Sequence, residues 1–178
     1  MSIPLLPTSE DLKKITMRGV LAYAARIVRN LTVALRSVID DATLDDVLVR
    51  VDTIWATRVV DNDARVSLIG AAQRVAAAYA AAPEVEKSLD NFRIVFSLTH
   101  LALSASHVAA AIDAPDRAHK EIIPAVREAE RAVRGIRVLE KSRAIAAAEA
   151  AWRDYEIILR EYGRHEDATI GSPVECFG

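Results

Sequence analysis

The chain has 178 residues and a formal net charge of −2, so it has no general attraction for nucleic acid or for an anionic membrane. Its single cysteine, Cys176, excludes an internal disulfide and a multi-cysteine metal site, and the sequence indicates no cofactor. The 32 alanines, set against 6 glycines and 6 prolines, favour helices, and no segment alternates as a strand would.

The first half of the chain predicts three helices from apolar residues spaced three and four apart. The first helix begins after the N-cap Thr8 and runs to about residue 38. The second starts at Thr43 and runs through Val59, with Val59 facing inward. The third spans about residues 64 to 82 and follows the capping sequence Asp61-Asn62-Asp63.

The second half predicts two longer helices. The fourth spans about residues 84 to 113. The last runs from residue 117 to 162 after the cap Asp116, is bent at Pro124 and is closed by Gly163.

These elements predict an all-α antiparallel bundle of five or six helices with a short C-terminal tail. The bundle domain comprises residues 1–163, and the tail comprises residues 164–178, pinned by Val174 and Phe177. Residues 1–8 lack the basic-then-apolar order of a signal peptide, so we expect a cytoplasmic protein.

The fourth helix contains a stretch, residues 94 to 112, without a single Asp, Glu, Lys or Arg. Its length is that of a membrane span, but serines, a threonine and two histidines give it a heavy polar load. Apolar groups occur on every side of it, which is typical of the buried centre of a bundle. We therefore expect no membrane association.

A polar edge on this helix provides the candidate site residues Arg93, His100, Ser104 and His107, which helical spacing aligns. In a functional interpretation, His100 or His107 is an acid–base group and Arg93 clamps an anion. In a structural interpretation, the histidines are core residues bonded to carbonyls and carboxylates of neighbouring helices. The two histidines are seven residues apart, which argues against a shared metal ion.

The segment from Arg93 to His100 resembles the motif of HEPN-type ribonucleases, in which four to six residues separate an arginine from a histidine. Arg160 and His165 give a second match with four residues between them. The HEPN family is helical and often dimeric, so the resemblance implies RNA cleavage at one of these pairs. The polar residue that usually follows the arginine is replaced by Ile94 and by Glu161.

Two rows of arginines define the charged surfaces. The first helix carries six basic residues and no acid between Leu12 and Ile39, with Arg18, Arg29 and Arg36 on its outer side. The following segment, residues 40–63, has seven acids, so antiparallel pairing would join opposite charges. Nucleic acid could bind through those three arginines, but no aromatic residues are interleaved with them, as single-strand binders use for stacking.

The second row consists of Arg127, Arg131, Arg134 and Lys141, interleaved with glutamates. Same-helix pairs such as Arg127–Glu130 and Glu130–Arg134 predict an ordinary solvated face.

Residues 22–26 (AYAAR) and 151–159 (AWRDYEIIL) resemble segments of a class of Ala-rich helical bacterial proteins with no assigned activity. Because no catalytic signature stands out, the leading hypothesis is a non-enzymatic helical interaction module with a protein partner, such as an adaptor, inhibitor or immunity-type protein, or a homo-oligomer. The alternative is a small helical enzyme or ligand binder, possibly HEPN-like, that uses the polar edge.

Overall fold

The computed structural model describes residues 4–163 and 169–173, and this part of the chain forms helices and no strand. Its seven α-helices are α1 (Ser9–Leu12), α2 (Met17–Thr32), α3 (Asp41–Ala56), α4 (Asn62–Ala81), α5 (Leu89–Asp113), α6 (Ala118–Val133) and α7 (Lys141–Tyr162). Short 3-10 helices occur at Val33–Ser37, Glu84–Glu86, Pro115–Arg117 and Arg134–Val138. Six long helices confirm the predicted all-α bundle.

Ion pairs show that α2 and α3 run antiparallel. Arg29, near the end of α2, pairs with Asp52 near the end of α3, whereas Arg36, further along the chain, pairs with Asp41 and Asp45 at the start of α3. The prediction that the basic first helix lies against the acidic second one is confirmed. These exposed pairs each contribute about 0–1 kcal/mol, so apolar burial stabilises the bundle and the charges select neighbours.

The α5 helix is the centre of the bundle and contacts α2, α3, α4 and α6. Of the helices in the described part of the chain, it is the one long and apolar enough to span a membrane, and 67% of its most apolar stretch is buried inside the protein. That burial is what a core helix requires. Its first turns are the exception, because Phe92 and Phe96 are half exposed.

The predicted first helix is not continuous. Thr8 caps α1 through a capping box with Asp11, as expected, but the helix ends at Leu12. Thr16 then has an extended backbone, and its side chain accepts a hydrogen bond from the Gly19 amide, so it starts α2. Side-chain capping of this kind competes with helix continuation, which explains the break.

Two further helix starts differ from the prediction. The side chain of Asp40 accepts the Thr43 amide, so α3 begins at Asp41 and Thr43 is not the cap; α3 ends before Val59, which is exposed. Ser88 caps α5 in the same way, so α5 begins at Leu89, five residues after the predicted start.

The last predicted helix divides in a different place. Pro124 lies inside α6 without ending it. A proline has no N–H group to donate to the carbonyl four residues earlier, and here that carbonyl belongs to the exposed residue Lys120. The chain breaks instead after Val133, around Gly135. Asp116 lies within a 3-10 helix and does not cap α6, which has no side-chain cap. Gly163 follows α7, but its φ of −55° is not that of a left-handed cap.

Arg18 was expected on the solvent side of its helix, and the structure buries it. Its guanidinium donates hydrogen bonds to the carbonyls of Ile54 and Trp55, at the end of α3, and to the carbonyl of Gly171. Burial lowers the pKa of Arg18, but three carbonyl acceptors solvate its charge. Arg18 therefore ties α2 and α3 to the C-terminal segment, whose expected anchors Val174 and Phe177 lie outside the described residues.

Candidate functional site

The predicted polar edge of α5 lies against α6. Nδ1 of His100 is 2.5 Å from Oε2 of Glu128, the Ser104 hydroxyl donates to the Ala125 carbonyl at 2.9 Å, and Nδ1 of His107 is 2.7 Å from Oε2 of Glu121. Residues later in α5 contact residues earlier in α6, so the two helices run antiparallel. We call this line of polar contacts the α5–α6 seam.

His100 and Glu128 form the buried part of the seam, with exposures of 7% and 4%. Glu128 also accepts hydrogen bonds from Arg127 and Arg131. Burial raises the pKa of Glu128, but the hydrogen bonds from His100 and Arg127 outweigh it and lower the pKa overall. The carboxylate is therefore ionised, and Nδ1 of His100 carries the proton that it donates.

Nε2 of His100, the ring nitrogen that does not contact Glu128, is not accessible to a substrate. Nε2 of His100 is buried and has no hydrogen-bond partner among the described residues. Its ring packs edge-on against Phe96, with centroids 4.0 Å apart. Ser104 is fully buried as well. A general base must reach the proton it abstracts, so this geometry favours the structural interpretation of His100 and Ser104.

His107 lies at the edge of the bundle, where its side chain and that of Glu121 are about a third exposed. A reachable histidine–carboxylate pair can act as a general acid or base. Among the residues that the structure describes, no group of three His, Cys, Asp or Glu side chains could hold a metal ion.

An open pocket of about 660 Å³ lies where the seam ends, between the start of α5 and the 3-10 helix after α6. We call it the arginine pocket. Its lining consists of Arg93, Phe96, Ser97, Arg131, Arg134, Gly135, Arg137 and Val138.

The lining of the arginine pocket contains four guanidinium groups and no carboxylate. Carboxylates beside the pocket pair with three of these guanidinium groups. The nitrogen-to-oxygen distances are 3.6 Å for Arg93 and Asp90, 3.1 Å for Arg131 and Glu128, and 2.7 Å for Arg134 and Glu130.

Arg137 has no ion pair within the described part of the chain. The paired arginines remain about half exposed. Together they leave donors pointing to solvent and an excess of positive charge.

No protein-family model, curated protein or solved structure matches this chain. The resemblance to Ala-rich bacterial proteins and that to HEPN ribonucleases stay predictions. In the first HEPN-like pair, Arg93 lines the arginine pocket and His100 is buried. In the second pair, His165 lies outside the described residues.

Gly135 determines the shape of the arginine pocket. A Cβ atom at this position would lie 2.2 Å from Oγ of Ser97 and 2.8 Å from Cδ1 of Leu31, which is closer than carbon atoms can pack. Only glycine lets the 3-10 helix Arg134–Val138 lie directly on α5. That close approach brings Arg134 and Arg137 to the side of α5 that carries Arg93.

Sequence reasoning identified Arg93 but not the other three arginines of the pocket. It assigned Arg131 and Arg134 to a solvated face, and the predicted pair Glu130–Arg134 is present. The predicted pair Arg127–Glu130 is wrong, because Arg127 pairs with Glu128. The spacing of Arg131, Arg134 and Arg137 by three residues was the available signal.

Proposed function

We propose that this chain is a non-enzymatic binding module that recognises a negatively charged ligand group in the arginine pocket. The observation that carries the proposal is the convergence of four guanidinium groups on one cavity whose lining has no carboxylate. Guanidinium groups bind carboxylate and phosphate oxygens in a bidentate geometry, which gives both affinity and orientation. Phe96 and Val138 add an apolar wall for the uncharged part of the ligand.

The side chains around the pocket favour binding over catalysis. Ser97 is the only hydroxyl in the described lining, and it donates to the Arg93 carbonyl of its own helix. His100 is buried behind Phe96 and engaged by Glu128. The described lining holds no base, whereas hydrolysis, or RNA cleavage by the HEPN-like alternative, would need one to deprotonate the attacking water or 2′-hydroxyl.

The first arginine row gives little support to nucleic-acid binding. Arg18 is buried, and Arg29 and Arg36 are paired with aspartates of α3. Binding a nucleic acid requires rows of free cations along a backbone. Four guanidinium groups instead converge on one pocket, which suits a compact anionic group.

The test measures the binding of three probes to the full chain by isothermal titration calorimetry: inorganic pyrophosphate, ATP and a glutamate-rich peptide. We expect at least one to bind with a 1:1 stoichiometry, and Arg137→Ala to weaken it about tenfold, or about 1.4 kcal/mol. Arg137 is the best choice because no described ion pair depends on it.

Arg117→Ala is the matched control, since Arg117 is exposed and lies beyond the opposite end of α5. It should bind as the wild type does. Failure of all three probes to bind saturably would overturn the proposal, and so would equal binding by Arg137→Ala and the wild type.

A further inference from the structure

A row of exposed apolar side chains leads to the arginine pocket. Val85, Leu89, Phe92 and Phe96 are 92%, 63%, 53% and 51% exposed. The last three are spaced by three and four residues on α5, so they share one face of the helix. We call Leu89, Phe92 and Phe96 the apolar row.

The apolar row and the pocket form one continuous surface. Phe96 belongs to both, and Arg93 lies one turn before it on the same helix. From Leu89 to Phe96 the row extends about 10 Å along α5, at 1.5 Å per residue. A small anion in the pocket would leave most of the row in water, whereas contiguous exposed apolar groups are typical of surfaces that bind proteins.

On the basis of the proposed function, we infer that the occupant of this surface is an acidic amphipathic helix of a protein partner. Such a helix places apolar side chains at intervals of three and four residues against Leu89 and Phe92. Its acidic residues lie at one end, over the four guanidinium groups. Charge complementarity selects this occupant, because the described pocket lining offers positive charge alone.

The chemistry also sets the orientation of the partner helix. The row begins beside Glu84 and Glu86, of which Glu84 pairs with Lys87, and it ends at the arginines. An acidic group bound at the first end would meet like charge, so the acidic end of the partner lies over the pocket.

The experiment is selection of 16-residue peptides, displayed on phage, against the immobilised full chain. We expect the enriched peptides to combine two or three apolar residues at helical spacing with acidic residues clustered at one end. Binding of a synthesised enriched peptide is then measured by fluorescence anisotropy. We expect Leu89→Gln and Arg137→Ala each to weaken it at least tenfold, and higher salt to weaken it further.

The matched controls are Val66→Gln, which replaces an equally exposed apolar residue on α4, and Arg117→Ala. Both should bind the peptide as the wild type does, and circular dichroism melts verify that all four variants are folded.

Three results would overturn the inference. Enriched peptides could lack the acidic and apolar pattern, or their binding could be insensitive to Leu89→Gln. Light scattering could also show a dimer of this chain that Leu89→Gln dissociates, which would make a second copy the occupant. If pyrophosphate or ATP binding still depends on Arg137 in any of these cases, the proposed function stands and only the partner is wrong.

Discussion

His100 and Glu128 join the core of the bundle to the arginine pocket. Nδ1 of His100 lies 2.5 Å from Oε2 of Glu128, and Oε1 of the same carboxylate accepts a hydrogen bond from Arg131, which lines the pocket. The buried carboxylate thus holds a pocket arginine in place from inside the protein. This contact supports the structural interpretation of His100.

We predict that His100→Ala destabilises the protein by about 1–3 kcal/mol, because it removes a buried hydrogen bond to an ionised carboxylate and a contact with Phe96. The free energy of unfolding from urea titrations measures this change. His107→Ala, at the exposed end of the seam, should cost less than about 1 kcal/mol. Equal losses of unfolding free energy in the two variants would contradict the prediction that the buried histidine contributes more stability than the exposed one.

The stability of the protein should decrease in acid. Burial raises the pKa of Glu128, but hydrogen bonds from His100 and Arg127 lower it below the ordinary 4.5. A carboxyl group whose pKa is lower in the folded state contributes stability that is present above 4.5 and is lost as the pH falls through the folded value. The unfolding free energy should therefore fall as the solution is acidified below that pH.

Glu128→Gln should reduce the slope of this decrease, since the glutamine cannot titrate. The pKa of Glu130 is shifted in the same direction, so Glu130→Gln is a parallel variant that accounts for another part of the slope. Urea titrations between pH 3 and pH 7 compare the three proteins. If the slope is unchanged in Glu128→Gln, then the pKa of the wild-type Glu128 carboxyl is the same in the folded and the unfolded chain.

Arg18 should be the most important arginine for stability. Arg18→Ala removes the guanidinium that donates hydrogen bonds to the carbonyls of Ile54, Trp55 and Gly171. We expect this to lower the unfolding free energy by about 2–4 kcal/mol. Arg29→Ala, which breaks an exposed ion pair on the same helix, should cost less than about 1 kcal/mol. Thermal and urea unfolding of the two variants test the contrast, which an equal loss would contradict.

What could be predicted from the sequence was local. The cap at Thr8 and a cap within residues 61–63 for the third predicted helix depend on residues within one turn. Both are present in the structure, where Asp61 caps α4 and the helix begins at Asn62 instead of at about residue 64. The hydrogen-bonded state of the seam histidines followed from the cost of burying unpaired polar groups.

The features that sequence reasoning missed depend on distant residues. Arg18 is buried because acceptors 36, 37 and 153 residues away converge on it. The arginine pocket exists because the chain breaks after Val133 and lies against Ser97, whereas the sequence favoured a bend at Pro124. The spacing of Arg131, Arg134 and Arg137 places them on one side of their predicted helix, but no local pattern reveals which distant segment that side contacts, so Arg134 and Arg137 could not be assigned to the pocket.

A pair of glycine substitutions tests whether that close contact forms the pocket. Gly135→Ala would place a Cβ 2.2 Å from Oγ of Ser97, so the 3-10 helix must shift, and we expect a loss of about 1–3 kcal/mol together with weaker ligand binding. Gly70→Ala is the matched control on α4, because the nearest atom to its Cβ is a flexible arginine nitrogen 3.6 Å away. Alanine is the better helix former, so this variant should gain about 0.5–1 kcal/mol.

Ser97→Ala in the Gly135→Ala background should recover part of the loss, because it removes the atom closest to the new methyl group. Leu31 still lies 2.8 Å from that position, so recovery should be incomplete. Urea unfolding and peptide anisotropy on the single and double variants give both readouts. A Gly135→Ala protein as stable and as tightly binding as the wild type would show that the arginines converge without this contact.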